Sequence, residues 1–281
     1  MTVDFSVVIP TYRRNSELAE AITSVLRQPE VSLEIIVVDD CPKGTAREVV
    51  SRINDDRIQY IRTLHPSGGR PSIVRNLGWP RTTGTFLHFL DDDDVVPIGH
   101  YATAKQAFEE HPDIGLVFGR IEPFGVGPES QLQHERRYFE EAARKASSCG
   151  RFGTRWAYIG RMLFDQAMLV CSAGIVRREC VVRVGGFDPD IRLMEDADFY
   201  TRVLRECGAC FLDHVSIKYR IGSPSLMHSP NPTPQQLLEQ QRGHRQMHIK
   251  YQANRGVFEF YALALFTRIV LRIADVMGNQ Y

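Results

Sequence analysis

The chain has 281 residues, 43% of them hydrophobic and 24% charged, an ordinary globular composition that excludes wholesale disorder. Lys plus Arg number 34 and Asp plus Glu number 34, so the formal net charge is zero and bulk electrostatics is excluded as the basis of nucleic-acid or membrane binding. The six scattered cysteines and an opening without a basic-then-apolar leader predict a reducing, cytoplasmic setting and no secretory signal. In chain order, residues 5–9 (FSVVI), ended by Pro10, read as a buried strand. Asn15 is placed to cap a helix whose Leu18, Ala21, Ile22, Val25 and Leu26 share one face. Residues 34–38 (EIIVV) form a second strand ahead of Asp39-Asp40, followed by a helix over 45–53 and a short strand over 58–61. The loop 64–71, with Gly68-Gly69-Arg70, leads to a helix carrying Ile73, Val74, Leu77 and Trp79. The strand 85–90 (TFLHFL) then runs into Asp91-Asp92-Asp93-Asp94.

Strands separated by helices of this length predict a parallel sheet with right-handed crossovers and a ligand crevice beyond the carboxyl ends of its strands. The unusual polar residues stand at those ends: Thr11-Tyr12-Arg13-Arg14, Asp39-Asp40 and the four aspartates. Between 123 and 161 the pattern weakens, and the charged stretch 134–145 (HERRYFEEAARK) reads as a solvated helix. Apolar chain resumes over 167–176, a short helix follows near 178–184, and Glu195-Asp196-Ala197-Asp198 opens a helix with Phe199, Val203 and Leu204 on one face. Cys207-Gly208-Ala209-Cys210 has redox or zinc spacing, but extended chain follows it and no second ligand pair is present, so it reads as coincidence. After residue 234 the chain reads as helical to its end.

Four adjacent carboxylates repel one another, so the aspartate run is unfavourable in a compact fold without a partner. A hard-cation site carrying a diphosphate supplies one, because Mg²⁺ or Mn²⁺ suits carboxylates plus phosphate oxygens. Arg14, Arg70 and Arg75 stand at element ends beside the same crevice, and arginine forks match phosphate oxygens. A solvated acidic turn is the bland alternative.

The order Phe5-Ser6-Val7-Val8-Ile9-Pro10-Thr11-Tyr12-Arg13-Arg14, Glu34-Ile35-Ile36-Val37-Val38-Asp39-Asp40, Arg75-Asn76-Leu77-Gly78 and Phe89-Leu90-Asp91-Asp92-Asp93-Asp94 resembles a family 2 glycosyltransferase with the GT-A fold. Gly185-Gly186-Phe187-Asp188, Glu195-Asp196-Ala197-Asp198 and Tyr219-Arg220 extend the resemblance to roughly residues 4 to 222. It implies an α/β fold with a mostly parallel, Rossmann-like nucleotide-binding half over 1–122. An acceptor and catalytic-base half over 123–230 and a helical tail over 231–281 would follow. The resemblance assigns Pro10, Thr11, Tyr12 and Arg14 to the loop around base and ribose, Asp39 to the uracil ring, and Arg70 to base or diphosphate. It aligns Asp91 and Asp93 with the family's D-x-D signature, with Asp92 toward the ribose and Asp93 toward the metal. Cys41-Pro42 departs from the family's usual Gly-Ser, and the segment between the aspartates and Pro97 is one residue short, which leaves the metal ligand open between Asp93 and Asp94. Gly222-Ser223 stands where a histidine is common, so His228 is the candidate third metal ligand or phosphate contact.

The resemblance also implies a general base at the Glu195-Asp196 pair, with Asp196 as the base and Glu195 its substitute or acceptor-positioning neighbour. A sugar hydroxyl is a poor nucleophile, and a carboxylate within hydrogen-bond reach removes its proton as it attacks. Direct displacement would invert the anomeric centre. The implied partners are a nucleotide-sugar donor, a UDP-sugar first, and a glycan, lipid-linked or small-molecule acceptor, with no nucleic acid. No glycine fingerprint follows the first strand and no G-x-x-x-x-G-K-[ST] occurs, which excludes a dinucleotide oxidoreductase and a P-loop phosphotransferase. A nucleotidyltransferase and an inactive nucleotide-sugar-binding scaffold remain as rivals. Over 257–277 the apolar positions are too many for one narrow stripe, and Arg255, Arg268 and Arg272 add positive charge. A helix packed on the catalytic domain, with some role in self-association, is the favoured expectation; a dimer-forming helix and an interfacial membrane helix at the inner face of the membrane are the others.

Overall fold

The computed structural model describes residues 3–152, 155–165, 167–222, 233–273 and 275. The β-branched run at the start forms β1 (Phe5–Thr11), and α1 (Asn15–Leu26), β2 (Leu33–Asp39), α2 (Ala46–Ile53), β3 (Ile58–Arg62), α3 (Pro71–Gly78) and β4 (Phe86–Phe89) follow in alternation. Then come α4 (His100–Glu110), β5 (Leu116–Gly125), α5 (Glu129–Arg151), α6 (Arg155–Phe164), β6 (Gly174–Arg177), α7 (Arg178–Val184), α8 (Glu195–Cys207) and β7 (Ala209–Ile221). The chain closes with α9 (Pro234–Arg255), α10 (Val257–Phe266) and a π-helical turn, Thr267–Leu271.

Among the described residues one seven-stranded sheet runs in the order β3-β2-β1-β4-β6-β5-β7. All its pairs are parallel except those of β6, which is antiparallel to both β4 and β5. β1 pairs in register with β2 from Phe5 opposite Leu33 to Thr11 opposite Asp39, which sets the polar ends of the two strands side by side. Strands β1, β2 and β4 are buried on both faces, which is why they read as continuous apolar runs rather than alternating ones.

Helix α3 lies close on this sheet. A Cβ added at Gly78 would stand 2.6 Å from Val8 Cγ1 and 3.0 Å from Val38 Cγ2, so only glycine admits the approach that fixes Arg75 and Asn76. Asn76 in turn clamps the segment before α8. Its Nδ2 donates to Phe187 O at 2.7 Å, and its Oδ1 accepts from Phe187 N at 3.0 Å. Gly186 sits at φ +74, where a Cβ would meet Asn76 Oδ1 at 2.7 Å.

Two expectations change, one about a helix cap and one about the stretch 134–145. Asn15 is the first helical residue of α1 rather than its cap; Arg14 takes the cap position without a side-chain cap bond, because a guanidinium only donates and cannot accept from the helix N–H groups. The expected divide at 122/123 falls inside β5, and the one at 230/231 lies outside the described residues. The stretch 134–145 belongs to α5, which is amphipathic rather than solvated all round: Phe139, Ala142, Ala143 and Ala146 are buried against β5 and β7. The Cys207 and Cys210 thiols are free; Cys207 ends α8 and Cys210 lies in β7, and among the described residues no metal-holding group surrounds them.

Candidate active site

A cleft of about 1960 Å³ opens at the carboxyl ends of β1, β2 and β4. The loops after these strands form its floor; α5, the start of α8 and α9 form the opposite walls. Of the residues singled out in the sequence, Pro10, Thr11, Tyr12, Arg14, Arg70, Arg75, Asp91, Asp92, Asp93, Glu195 and Asp196 all line it. His228 lies outside the described residues.

The four aspartates do four different things. Asp91, half-buried, accepts from Arg75 Nη2 at 2.6 Å and is held at its backbone by Ser172 Oγ at 3.0 Å. Asp92 is buried and accepts from Thr11 Oγ1 at 2.7 Å, Tyr12 N at 3.3 Å and Arg14 Nη1 at 3.2 Å, so it shapes the loop after β1. Asp93 lines the cleft and accepts from Arg14 Nη1 at 2.5 Å. Asp94 turns away into the protein, where Oδ1 accepts from Arg220 N at 2.9 Å and Oδ2 is buried with no hydrogen-bond partner among the described residues. Burial, together with repulsion from Asp91 and Asp92, pushes Asp93 up to about 7 against the opposing pull of Arg14. Asp94 is held well above the usual carboxylate range by burial and by Asp93. Burial and mutual repulsion thus favour protonation within the run, and a further cation beside it would favour the ionised carboxylates.

This donor set, oxygen-only and open to the cleft at Asp91 and Asp93, fits Mg²⁺ or Mn²⁺ arriving with a diphosphate, since such ions are held by one or two carboxylates plus phosphate oxygens. Among the described residues no group of three His, Cys, Asp or Glu side chains could hold a metal by itself.

Arg75 is the hinge of the site. It is fully buried, with Nη1 on Glu195 Oε1 at 2.8 Å, Nη2 on Asp91 at 2.6 Å, and its guanidinium 5.2 Å from the Phe187 ring centroid. Its fork thus joins α8 to the aspartate run at the wall of the cleft. Glu195 is pushed up to about 7, by burial first and by Asp196 second. Asp196 is raised as well, chiefly by burial. Its Oδ1 accepts from Ala197 N at 2.8 Å, and no ion pair to it is found among the described residues. Met194, the residue just before the pair, is held at φ +68, a left-handed conformation that a non-glycine residue adopts at a cost.

Asp39 is corrected. It lies at the very end of β2 with no exposed surface, and its carboxylate accepts from Cys41 N at 2.8 Å, Ala46 N at 3.0 Å and Tyr60 Oη at 2.9 Å. With its oxygens committed to shaping the β2–α2 turn, it does not line the cleft. Asp40 does, tied to Ser67 N at 2.9 Å, Ser67 Oγ at 2.7 Å and Thr63 Oγ1 at 3.1 Å. Sequence reasoning pointed to the stretch 123–161 and the tail for acceptor choice but named none of the α5 and α9 residues that line the cleft, Gln131, His134 and His244 among them. Arg220, seen only as part of a motif, donates from Nε to Asp93 O at 2.7 Å and packs 4.5 Å from the Phe124 ring.

The sequence model of "Glycosyl transferase family 2" matches residues 6–167, more than half of the chain, from within β1 to beyond β5. The chain belongs to glycosyl transferase family 2. Its transferase relatives include an uncharacterized glycosyltransferase of Haemophilus influenzae, 24% identical over 201 residues that make up 72% of this chain and 62% of the relative. The chain thus spans less than two thirds of that protein's length. A Campylobacter jejuni protein named GalNAc(5)-diNAcBac-PP-undecaprenol beta-1,3-glucosyltransferase is 37% identical over 107 residues, 37% of this chain and 34% of the relative. The crystal structure of Staphylococcus aureus TarS 1-349 in complex with UDP-GlcNAc superposes with a TM-score of 0.64 at 17% identity, covering 95% of this chain and 73% of that one. The likeness establishes the GT-A fold.

Proposed function

We propose that this family 2 transferase moves a sugar from a nucleotide-sugar donor, a UDP-sugar first, to an acceptor hydroxyl with inversion at the anomeric carbon, and that Asp196 is the general base. The observation that carries the reading is the division of labour at the start of α8. Glu195 is tethered to Arg75 at 2.8 Å, while Asp196 faces the cleft without an ion pair among the described residues. Burial keeps Asp196 more basic than a surface aspartate, which suits it to take a hydroxyl proton near neutral pH. The TarS complex with UDP-GlcNAc supports a UDP-sugar donor.

In this reading Tyr12 and Asp40 meet the nucleoside, and Arg70, exposed at the start of α3, reaches the diphosphate as the sugar leaves. Asp93, with Asp91 beside it, would hold Mn²⁺ or Mg²⁺, which supplies charge neutralisation on the departing diphosphate. Arg14 holds Asp92 and Asp93 in place. The acceptor, a glycan, a lipid-linked sugar or a small molecule, would enter between α5 and α9, whose His134, Gln241 and His244 supply polar groups.

Asp196→Asn keeps size and hydrogen bonding and removes basicity. Turnover of a donor-sugar and acceptor panel should fall by at least about a hundredfold, with UDP affinity nearly unchanged. Near-normal turnover, or a product with retained anomeric configuration by NMR, would remove Asp196 from the role.

A further inference from the structure

Helix α10 and the π-helical turn after it have two apolar faces. The inner one packs: Phe260, Leu263, Thr267 and Leu271 are buried, the Phe260 and Phe164 rings stand 4.9 Å apart, and Gly160 of α6 leaves room for the Thr267 side chain. The outer one does not. Phe258 is 89% exposed and Tyr261 63%, and Leu265, Ile269 and Ile273 continue the same stripe at three- and four-residue spacing. A stripe of large apolar side chains this long is more than a soluble monomer usually leaves in water.

The charges of the segment sort themselves by side. Glu259 is engaged by Arg205 at 2.8 Å and by Tyr251 Oη at 2.8 Å, and Asp275 by Arg161 at 2.5 Å. The acids are thus neutralised within the protein. Arg268 and Arg272 are exposed among the outer apolar residues, and no ion pair to either is found among the described residues.

We infer that this outer face docks on an anionic lipid surface. A helix with an apolar stripe and cations beside it lies in the headgroup boundary, burying the stripe and pairing its cations with acidic lipids. A second copy fits less well, because a two-fold contact through this face would set Arg268 and Arg272 against their own counterparts with the segment's acids already paired. The placement has a consequence for the cleft. Helix α10 packs on α6 and α9, α9 lines the cleft with Gln240, Gln241 and His244, and Arg161 joins Asp275 to the cleft residue Asp165 at 2.5 Å. Docking would hold the acceptor wall beside the lipid. No described helix is long and apolar enough to cross a membrane. The inference stands apart from the donor chemistry: vesicle binding needs no sugar nucleotide.

The test is flotation of the full chain with phosphatidylcholine vesicles, with and without about a third phosphatidylglycerol. The chain should float with the anionic vesicles only. Arg268→Ala and Arg272→Ala should each weaken binding about fivefold, and high salt should do the same. Leu265→Asp with Ile269→Asp should abolish it, while thermal unfolding and UDP affinity stay as in the parent because these side chains are exposed. Failure to float with anionic vesicles, or equal binding to neutral ones, would overturn the inference. So would sedimentation showing a dimer that the Leu265→Asp, Ile269→Asp variant dissociates. Should the aspartate variant unfold, the two arginine variants decide alone.

Discussion

Arg75→Met tests the proposition that one buried cation holds the two acidic motifs together. The wild-type guanidinium is fully buried and carries two close ion pairs, to Asp91 at 2.6 Å and Glu195 at 2.8 Å. Methionine fills much of the volume but leaves both carboxylates facing a desolvated space. Removing one partner of a buried pair costs about 3–5 kcal/mol. Asp91 keeps 32% side-chain exposure and is partly screened by water, so most of the loss falls on Glu195, whose side chain is 10% exposed. In a chain of 281 residues that corresponds to a drop in Tm on the order of 5–8 °C. The loss should depend on pH. Glu195, already pushed up to about 7, loses the cation that favours its ionised form, so its folded-state pKa rises further while the unfolded value stays ordinary. The folded variant then binds a proton that the unfolded chain does not, and its stability falls as pH rises through that window. The deficit against wild type is therefore flat from about pH 5 to about pH 7 and grows as pH rises above about 7. Calorimetry across that range checks both features. A variant that melts within a degree or two of wild type above neutrality, or a deficit that ignores pH, would refute the bridging role.

Asp93→Ala should abolish the metal-dependent part of UDP affinity measured by titration calorimetry with and without Mn²⁺, while Asp94→Asn, which turns away from the cleft, should spare it. Because burial raises Asp196, turnover should fall on the acid side with a midpoint above the ordinary carboxylate value of about 4; a limb at that ordinary value would contradict the burial argument. Gly78→Ala forces a methyl to within 2.6 Å of Val8 Cγ1, and should cost about 1–3 kcal/mol in denaturant unfolding together with weakened UDP binding as α3 lifts Arg75 off its partners.

The donor side was legible because its signals are local. An apolar run ending in a polar turn marks a parallel strand and also the place where a ligand sits, so residues 5–14, 34–40 and 86–94 disclosed sheet, crevice and carboxylates together. Asp39 shows where that local reading stops. Two adjacent acids at a strand end point to opposite faces, and which face is the cleft depends on Tyr60 from the neighbouring strand and Ser67 from the loop beyond it. Arg75 shows the same limit over a longer span. Arg14, Arg70 and Arg75 look alike in sequence, all at element ends near the crevice. Arg70 is exposed, Arg14 is spent on Asp92 and Asp93, and Arg75 is sealed by Glu195, 120 positions further on.

The α5 and α9 walls were illegible for a different reason. A helix that faces a cleft must carry polar groups on that face, so its composition is that of a solvated helix, and Phe139, Ala142 and Ala146 were outweighed by the charges around them. The same ambiguity runs in reverse at α10, where an apolar composition suggested burial and only one of two faces is buried. Charged composition hid a wall, and apolar composition hid an exposed surface. In both cases a face that does not meet the protein's own core decides the outcome, and composition alone does not say what such a face meets.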